Sequence, residues 1–181
     1  MAAESTPGRP QTAREDPSLD TSEPASIPGR ERVRRDAAGR GLAVEIFARK
    51  PANSLAEAAA VLGIRPADIV KSLVVKRPDD TFLFALIPGD RQISWAKLRA
   101  VVGVNRLSMP SAEVARHATG YERGTITPLG STTAWPVFAD SAMLGQRVAM
   151  GAGEHGFSLF VQADDLITAL DATVLDISDP A

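Results

Sequence analysis

Two short stretches carry the groups with which this chain could act on another molecule. The first is DIVKSLVV, which contains Lys71. The alternation in VKSLVVK predicts a strand. On it Lys71 shares a side with Leu73 and Val75, while Ser72, Val74 and Lys76 point the other way. If Leu73 and Val75 face a core, the Lys71 ammonium faces inward too, at the mouth of a pocket. That is costly unless an anion meets it. The alternatives are that the opposite face is the buried one, or that Lys71 snorkels at the strand end. The second stretch is TGYERGTITPLG, from Thr119 to Gly130. Gly120, Gly124 and Gly130 can take positive φ or let another backbone or a ligand come close. Pro128 fixes φ and removes a donor. A side-chain-poor wall of N–H and C=O groups suits an amino acid's amine or carbonyl. An ordinary surface loop is the alternative reading.

Several other chemistries are excluded. The chain has no cysteine, so it has no disulfide, thiolate nucleophile or cysteine-ligated zinc. His117 and His155 show no metal-binding spacing, and no metal is expected. The string GAGEHG matches G-x-G-x-x-G, but FSLFV follows it where a dinucleotide site requires a helix. A hairpin turn is the better reading, and no cofactor is expected. No serine sits in a nucleophile elbow, so no Ser–His–Asp triad is assigned.

Charge is unevenly spread around a formal net of −2. Residues 65–124 hold ten Lys or Arg against six Asp or Glu, whereas residues 125–181 hold Arg147 alone against seven acids. The part containing Lys71 and the glycine-rich loop is therefore the face suited to a phosphate backbone. No global basic signal for nucleic acid exists, so affinity for RNA is expected to be modest and no DNA partner is expected.

These groups must be positioned by a mixed set of short elements. Residues 1–28 are rich in Pro, Ser, Thr and acids and read as a disordered tail. Residues 29–181 read as a single domain. RERVRRDAAGR is expected to enter it as a solvated helix. LAVEIF predicts a strand. Ser54 with Glu57 forms a capping box for a helix that buries Leu55, Ala58, Ala59 and Leu62 and stops at Gly63. VKSLVVK and TFLFALI predict a hairpin across RPDD. Ser94 and Ser111 start two further helices, with a short strand Val104–Leu107 between them. Thr133–Ala139 predicts a strand whose Pro136 suits an edge or a bulge. Two strands flank GAGEHG, a helix follows Asp164 and Asp165, and TVLDIS is a last strand. The fold class is α+β, with a mixed, mostly antiparallel and partly barrel-like sheet surrounded by short helices. No apolar run is long enough to span a membrane, and no secretory signal is present, so the expected location is the cytoplasm.

In order, SLAEAAAVLGI, DIVKSLVV, TGYERGTITPLG, FAD and MGAG resemble the YbaK-like aminoacyl-tRNA deacylases, a family also found as the editing domain of bacterial prolyl-tRNA synthetases. The likeness runs from about Leu42 to Ser178. It implies a YbaK-like fold and hydrolysis, in trans, of the ester on a tRNA 3′ end charged with a wrong, small amino acid. tRNA-Pro is the implied tRNA and prolyl-tRNA synthetase the implied partner. The family's functional lysine falls on Lys71, and its G-x-x-x-P falls on Gly124 to Pro128. The implied substrate-binding set is Gly120, Tyr121, Gly124, Thr125, Ile126, Pro128, Asp140, Gly153 and Ser158. Two departures stand out. Thr125 replaces a second glycine, which is expected to narrow the pocket. Ser158 stands where some members carry an acid, which tells against cysteinyl specificity. A non-catalytic relative that binds tRNA or a synthetase is the alternative function.

The hairpin reading of GAGEHG has a direct test. Calorimetry with NAD or FAD is expected to give no saturable isotherm, and micromolar binding of either would overturn the reading.

Overall fold

A computed structural model describes residues 26–181. Most of the expected tail, residues 1–25, lies outside them. The elements in order are α1 (Gly29–Gly39), β1 (Glu45–Ala48), α2 (Leu55–Leu62), β2 (Val70–Lys76), β3 (Phe82–Pro88), β4 (Arg91–Ile93), α3 (Trp95–Val102), α4 (Ala112–Thr119), β5 (Val137–Asp140), β6 (Arg147–Gly151), β7 (Phe157–Gln162), α5 (Ala163–Ala169), β8 (Thr173–Leu175) and β9 (Ser178–Pro180).

Among the described residues the strands form three sheets, ordered β1-β7-β6, β2-β3-β5-β8 and β4-β9. Antiparallel pairings predominate, as expected, but no barrel closes. The longest sheet is buried on both faces, which is why FLFALIP is an unbroken apolar run. One face carries Val70, Val74, Phe84 and Leu86 and packs on β6, β7, α1 and α5. The other carries Leu73, Val75, Ala85 and Ile87 and packs on Leu98 and Ile177. Register puts Lys71 opposite Ile87, so the lysine shares the second face with Leu73 and Val75.

Local chemistry fixes most element ends. The Ser54 hydroxyl accepts from Glu57 N at 3.1 Å, and the Glu57 carboxylate accepts from Asn53 N at 2.7 Å, so the box closes one residue early. Gly63 takes φ of 66° as the stop of α2. Ser111 Oγ accepts from Val114 N at 3.2 Å to begin α4. GAGEHG is the antiparallel β6–β7 turn.

Four expectations are corrected. Helix α1 is not merely solvated, since Val33 and Ala37, four residues apart, are both buried in the main core. Val104–Leu107 is not a strand. Leu107 plugs the second core, and Ser108 makes a lone bridge to Lys76. The strand after Pro136 is not an edge, because β5 runs parallel between β3 and β8. Pro136 is tolerated because it precedes the paired segment and contributes its carbonyl, which accepts from Phe84 N at 2.8 Å. TVLDIS splits into β8 and β9, which pair in different sheets.

The split is held by Asp140, which is 1% exposed. Its Oδ1 accepts from Ala142 N at 2.9 Å and its Oδ2 from Ile177 N at 3.0 Å. Asp140→Ala should therefore cost about 1–3 kcal/mol, because the buried Ile177 amide loses its acceptor. Urea unfolding measures this. A loss within experimental error would show that the carboxylate is not the pin.

Candidate functional site

Strand β2 is the outer strand of its sheet, and β6 is the outer strand of another. A single parallel bridge, Ile69 to Ala149, joins the two. Beyond it a cavity of about 590 Å³ opens between them. Helix α2 contributes Ala58 and Leu62 to its wall, the approach to α4 contributes Met109 and Pro110, and the glycine-rich loop contributes Arg123, Gly124 and Ile126. The apolar stripe of α2 is thus only partly a core contact.

Of the residues singled out in the sequence, Lys71, Gly124, Ile126 and Ser158 line this cavity together. The Lys71 stem lies along the wall, and its ammonium donates one hydrogen bond to the Arg91 carbonyl. An ammonium has three donors, so two remain for a ligand. Burial lowers the Lys71 pKa, and the charge of Asp90 opposes that shift. Gly124 has φ of 90°, and a Cβ there would meet nothing closer than His155 Cε1 at 4.0 Å. Its glycine is required by backbone conformation, not by crowding. No hydrogen bond within the described residues uses the amides of Gly124 and Ile126.

The others stand behind this wall. Thr125 is buried, and its hydroxyl donates to the Glu122 carbonyl at 2.7 Å. Its side chain is outside the lining and does not narrow the cavity, which corrects the expectation of a gate. Tyr121 is buried and donates its hydroxyl to the Leu129 carbonyl at 2.8 Å. Burial pushes its pKa up to about 12, so it stays a neutral donor. Gly120 is the left-handed stop of α4. Gly153 donates to the Thr125 carbonyl at 2.9 Å and so braces the loop against the β6–β7 turn. A second brace is His155 Nε2 with Glu122 Oε2 at 2.9 Å. Pro128 faces a separate, smaller cavity beside Trp135 and Arg40. Asp140 is in the interior, where it serves backbone amides.

Three polar side chains of the lining were not foreseen. Arg49 donates Nε to Ser158 Oγ at 2.9 Å. It directly follows β1, whose Phe47 pairs with Ser158, and the cationic doublet Arg49–Lys50 after a strand was the available signal. Arg123 sits in the loop itself. Ser72 lies between Val70 and Val74 on one strand face. Its Oγ is buried and has no hydrogen-bond partner among the described residues. Alternation in VKSLVVK already placed it there. The lining therefore holds Lys71, Arg49 and Arg123 and no carboxylate or histidine. Such a site attracts an anionic ligand and supplies no side-chain base.

Residues 49–169 match the aminoacyl-tRNA editing domain. The chain belongs to that family. Among relatives of this editing domain, the proline–tRNA ligase of Bacillus licheniformis is 33% identical over 105 residues, 58% of this chain and 18% of the ligase. That of Heliobacterium modesticaldum is 33% identical over 119 residues, 65% of this chain and 20% of the ligase. The chain thus spans about a fifth of the length of these ligases. EbsC of Enterococcus faecalis, described as a candidate Cys-tRNA(Pro)/Cys-tRNA(Cys) deacylase, is 26% identical over 70% of this chain and 76% of its own. A crystal structure of a candidate trans-editing enzyme for prolyl tRNA synthetase superposes with a TM-score of 0.75 at 27% identity, covering 86% of this chain and 99% of that one. No helix among the described residues is long and apolar enough to cross a membrane.

The lowered Lys71 pKa makes a prediction about stability. Between its folded value and the ordinary lysine value of about 10.4, the unfolded state binds more protons. Stability then rises with pH across that window. Lys71→Met removes the burial penalty, so its melting temperature should exceed that of the wild type at neutral pH. The gap should close as the pH rises through the window. Calorimetric scans at neutral and alkaline pH check this, and a pH-independent gap would contradict it.

Proposed function

We propose that this editing domain hydrolyses, in trans, the ester that joins a wrong, small amino acid to the 3′ end of a tRNA. The observation that carries the reading is the cavity lining, with three cations, free loop amides and no carboxylate. Its volume is that of a small-molecule site, roughly 300–1,000 Å³, which suits a tRNA end better than a bulky substrate. Arg49 and Arg123 sit where they can meet phosphate. Val70, Val74, Ala149 and Met150 offer an apolar wall to a small, uncharged side chain. The deacylase and proline–tRNA ligase relatives support tRNA-Pro as the tRNA and prolyl-tRNA synthetase as the partner.

In the reaction, water attacks the ester carbonyl carbon, the bond to the ribose oxygen breaks, and the proton from water ends on that oxygen. Lys71 stabilises the negative charge that develops on the carbonyl oxygen, as preorganised donors do in water-poor sites. The Gly124 and Ile126 amides hold the aminoacyl group. With no side-chain base in the lining, the water is oriented by main chain or by a polar group of the substrate itself. Ser72 Oγ is free to complete the substrate's hydrogen bonds. Gly120, Tyr121, Thr125, Pro128 and Gly153 act by holding this wall in place.

The test is a deacylation screen against a panel of mischarged tRNAs, with Lys71→Ala and Lys71→Arg alongside the wild type. Lys71→Ala should lower the rate ~10²–10³-fold while the unfolding midpoint does not fall. Arginine should rescue in part only, since its planar fork is not a point charge. Wild-type turnover in Lys71→Ala would end the role given to the lysine. Saturable tRNA binding with no hydrolysis of any ester would favour the non-catalytic alternative.

A further inference from the structure

Helix α1 lies outside residues 49–169, which match the family, yet it grips the cavity's loop wall at its neck. Helix α4 ends at Thr119, and the last carbonyls of a helix need partners from elsewhere. Thr132 and Trp135 serve the Ala118 carbonyl, and Arg32 serves the one at the very end, Thr119. Its guanidinium donates to the Thr119 and Gly120 carbonyls, each at 3.3 Å, and also to the Gly130 carbonyl at the loop's other end. A cation at a helix C-terminus also meets the negative end of the helix dipole. One turn along α1, Asp36 Oδ2 accepts from Gly130 N at 2.8 Å. Both backbone groups of Gly130 are therefore held by α1. Thr132 N donates to the Thr119 carbonyl at 3.0 Å, so the two ends of the loop already lie side by side. The same guanidinium sits 4.5 Å from the centre of the Tyr121 ring, the plug inside the loop.

The glycines at the neck follow from this grip. A Cβ on Gly120 would fall 2.7 Å from Arg32 Nη1, and one on Gly130 would fall 2.8 Å from the α1 backbone at Arg32. Gly120 and Gly130, both at positive φ, thus make room for α1 together with Thr132 and the Tyr121 hydroxyl, whereas Gly124, at the loop's far end, faces the cavity.

We propose that Arg32 and Asp36 are positioning residues of the site: α1 clips both ends of the Thr119–Gly130 loop and thereby holds Gly124 and Ile126 in place as the substrate wall. The kinetic part of this rests on the hydrolase reading above, and the structural part does not. Tyr121 and Leu129 are fully buried in the main core, an anchor independent of the clip, so loss of the clip is expected to loosen the loop without unfolding the chain. A loosened wall weakens substrate binding, and KM rises more than kcat falls.

The experiment compares wild type, Arg32→Ala, Arg32→Lys, Asp36→Ala and Asp36→Asn by amide hydrogen exchange over residues 119–130 and by steady-state deacylation. Arg32→Ala and Asp36→Ala should speed exchange in the loop and leave the β2–β3 hairpin as protected as before. Their KM should rise roughly tenfold with kcat changed far less. Asp36→Asn keeps an oxygen that can accept from Gly130 N and should behave as wild type. Arg32→Lys, with one donor centre in place of a fork, should fall between. A structural defect alone would lower the active fraction, hence kcat, without raising KM. Unchanged loop exchange in Arg32→Ala would overturn the clip. Faster exchange with KM unchanged would overturn its positioning role. If the wild type hydrolyses no ester of the panel, the hydrolase reading fails instead, and the clip stands or falls on the exchange data and their rescue by Asp36→Asn.

Discussion

The site depends on two sheet edges that meet at one point. Ile69 bridges Ala149, and past that bridge β2 and β6 share a gap instead of a ladder. An outer strand with unpaired N–H and C=O groups is ordinarily a hazard, to be covered or blunted. Here α2, the approach to α4 and the glycine-rich loop cover the gap without filling it. The cavity is thus what remains when two sheets are joined at one residue pair and roofed by short helices. Because β2 is the outer strand, side chains from both of its faces reach the gap. That is how Lys71 and Ser72, neighbours that point in opposite directions, line the same space.

The electrostatics follow from that placement. An ammonium half-withdrawn from water beside apolar walls is disfavoured, and the Arg91 carbonyl and the charge of Asp90 offset only part of the loss. Arg49 and Arg123 add positive potential, and no acid in the lining cancels it. An anion entering the cavity gains interaction with all three. The same lack of carboxylates removes the usual general bases, so whatever chemistry occurs must draw its proton acceptor from water, main chain or ligand.

Loop and helix work as a unit in a way that glycine content alone misrepresents. Of the loop's glycines, Gly120 and Gly130 take positive φ and are crowded by α1, Thr132 and the Tyr121 hydroxyl. Gly151, on β6, is small because the Thr125 and Ile126 carbonyls approach it. Gly124 is left-handed beside open space. Close packing and positive φ together explain Gly120 and Gly130, close packing explains Gly151, and backbone conformation explains Gly124; of the four, Gly124 and Gly151 border the cavity.

Elements whose signals are local were legible in the chain alone. The Ser54–Glu57 cap, the Gly63 stop, the β2–β3 hairpin and the turn at GAGEHG all follow from neighbouring residues. Alternation in VKSLVVK placed Lys71 with Leu73 and Val75. Tertiary structure decided what depends on distant partners. It buried α1, because Val33 and Ala37 have a core to meet only once the sheets assemble. It made β5 a central strand, since a proline before a strand does not reveal which neighbours that strand will have. It sent Asp140 to the interior and turned Thr125 away from the cavity, because a side chain's direction in a loop is set by the backbone packed against it. It brought Arg49, Ser72 and Arg123 to one space, from segments whose separation along the chain carries no trace of their meeting.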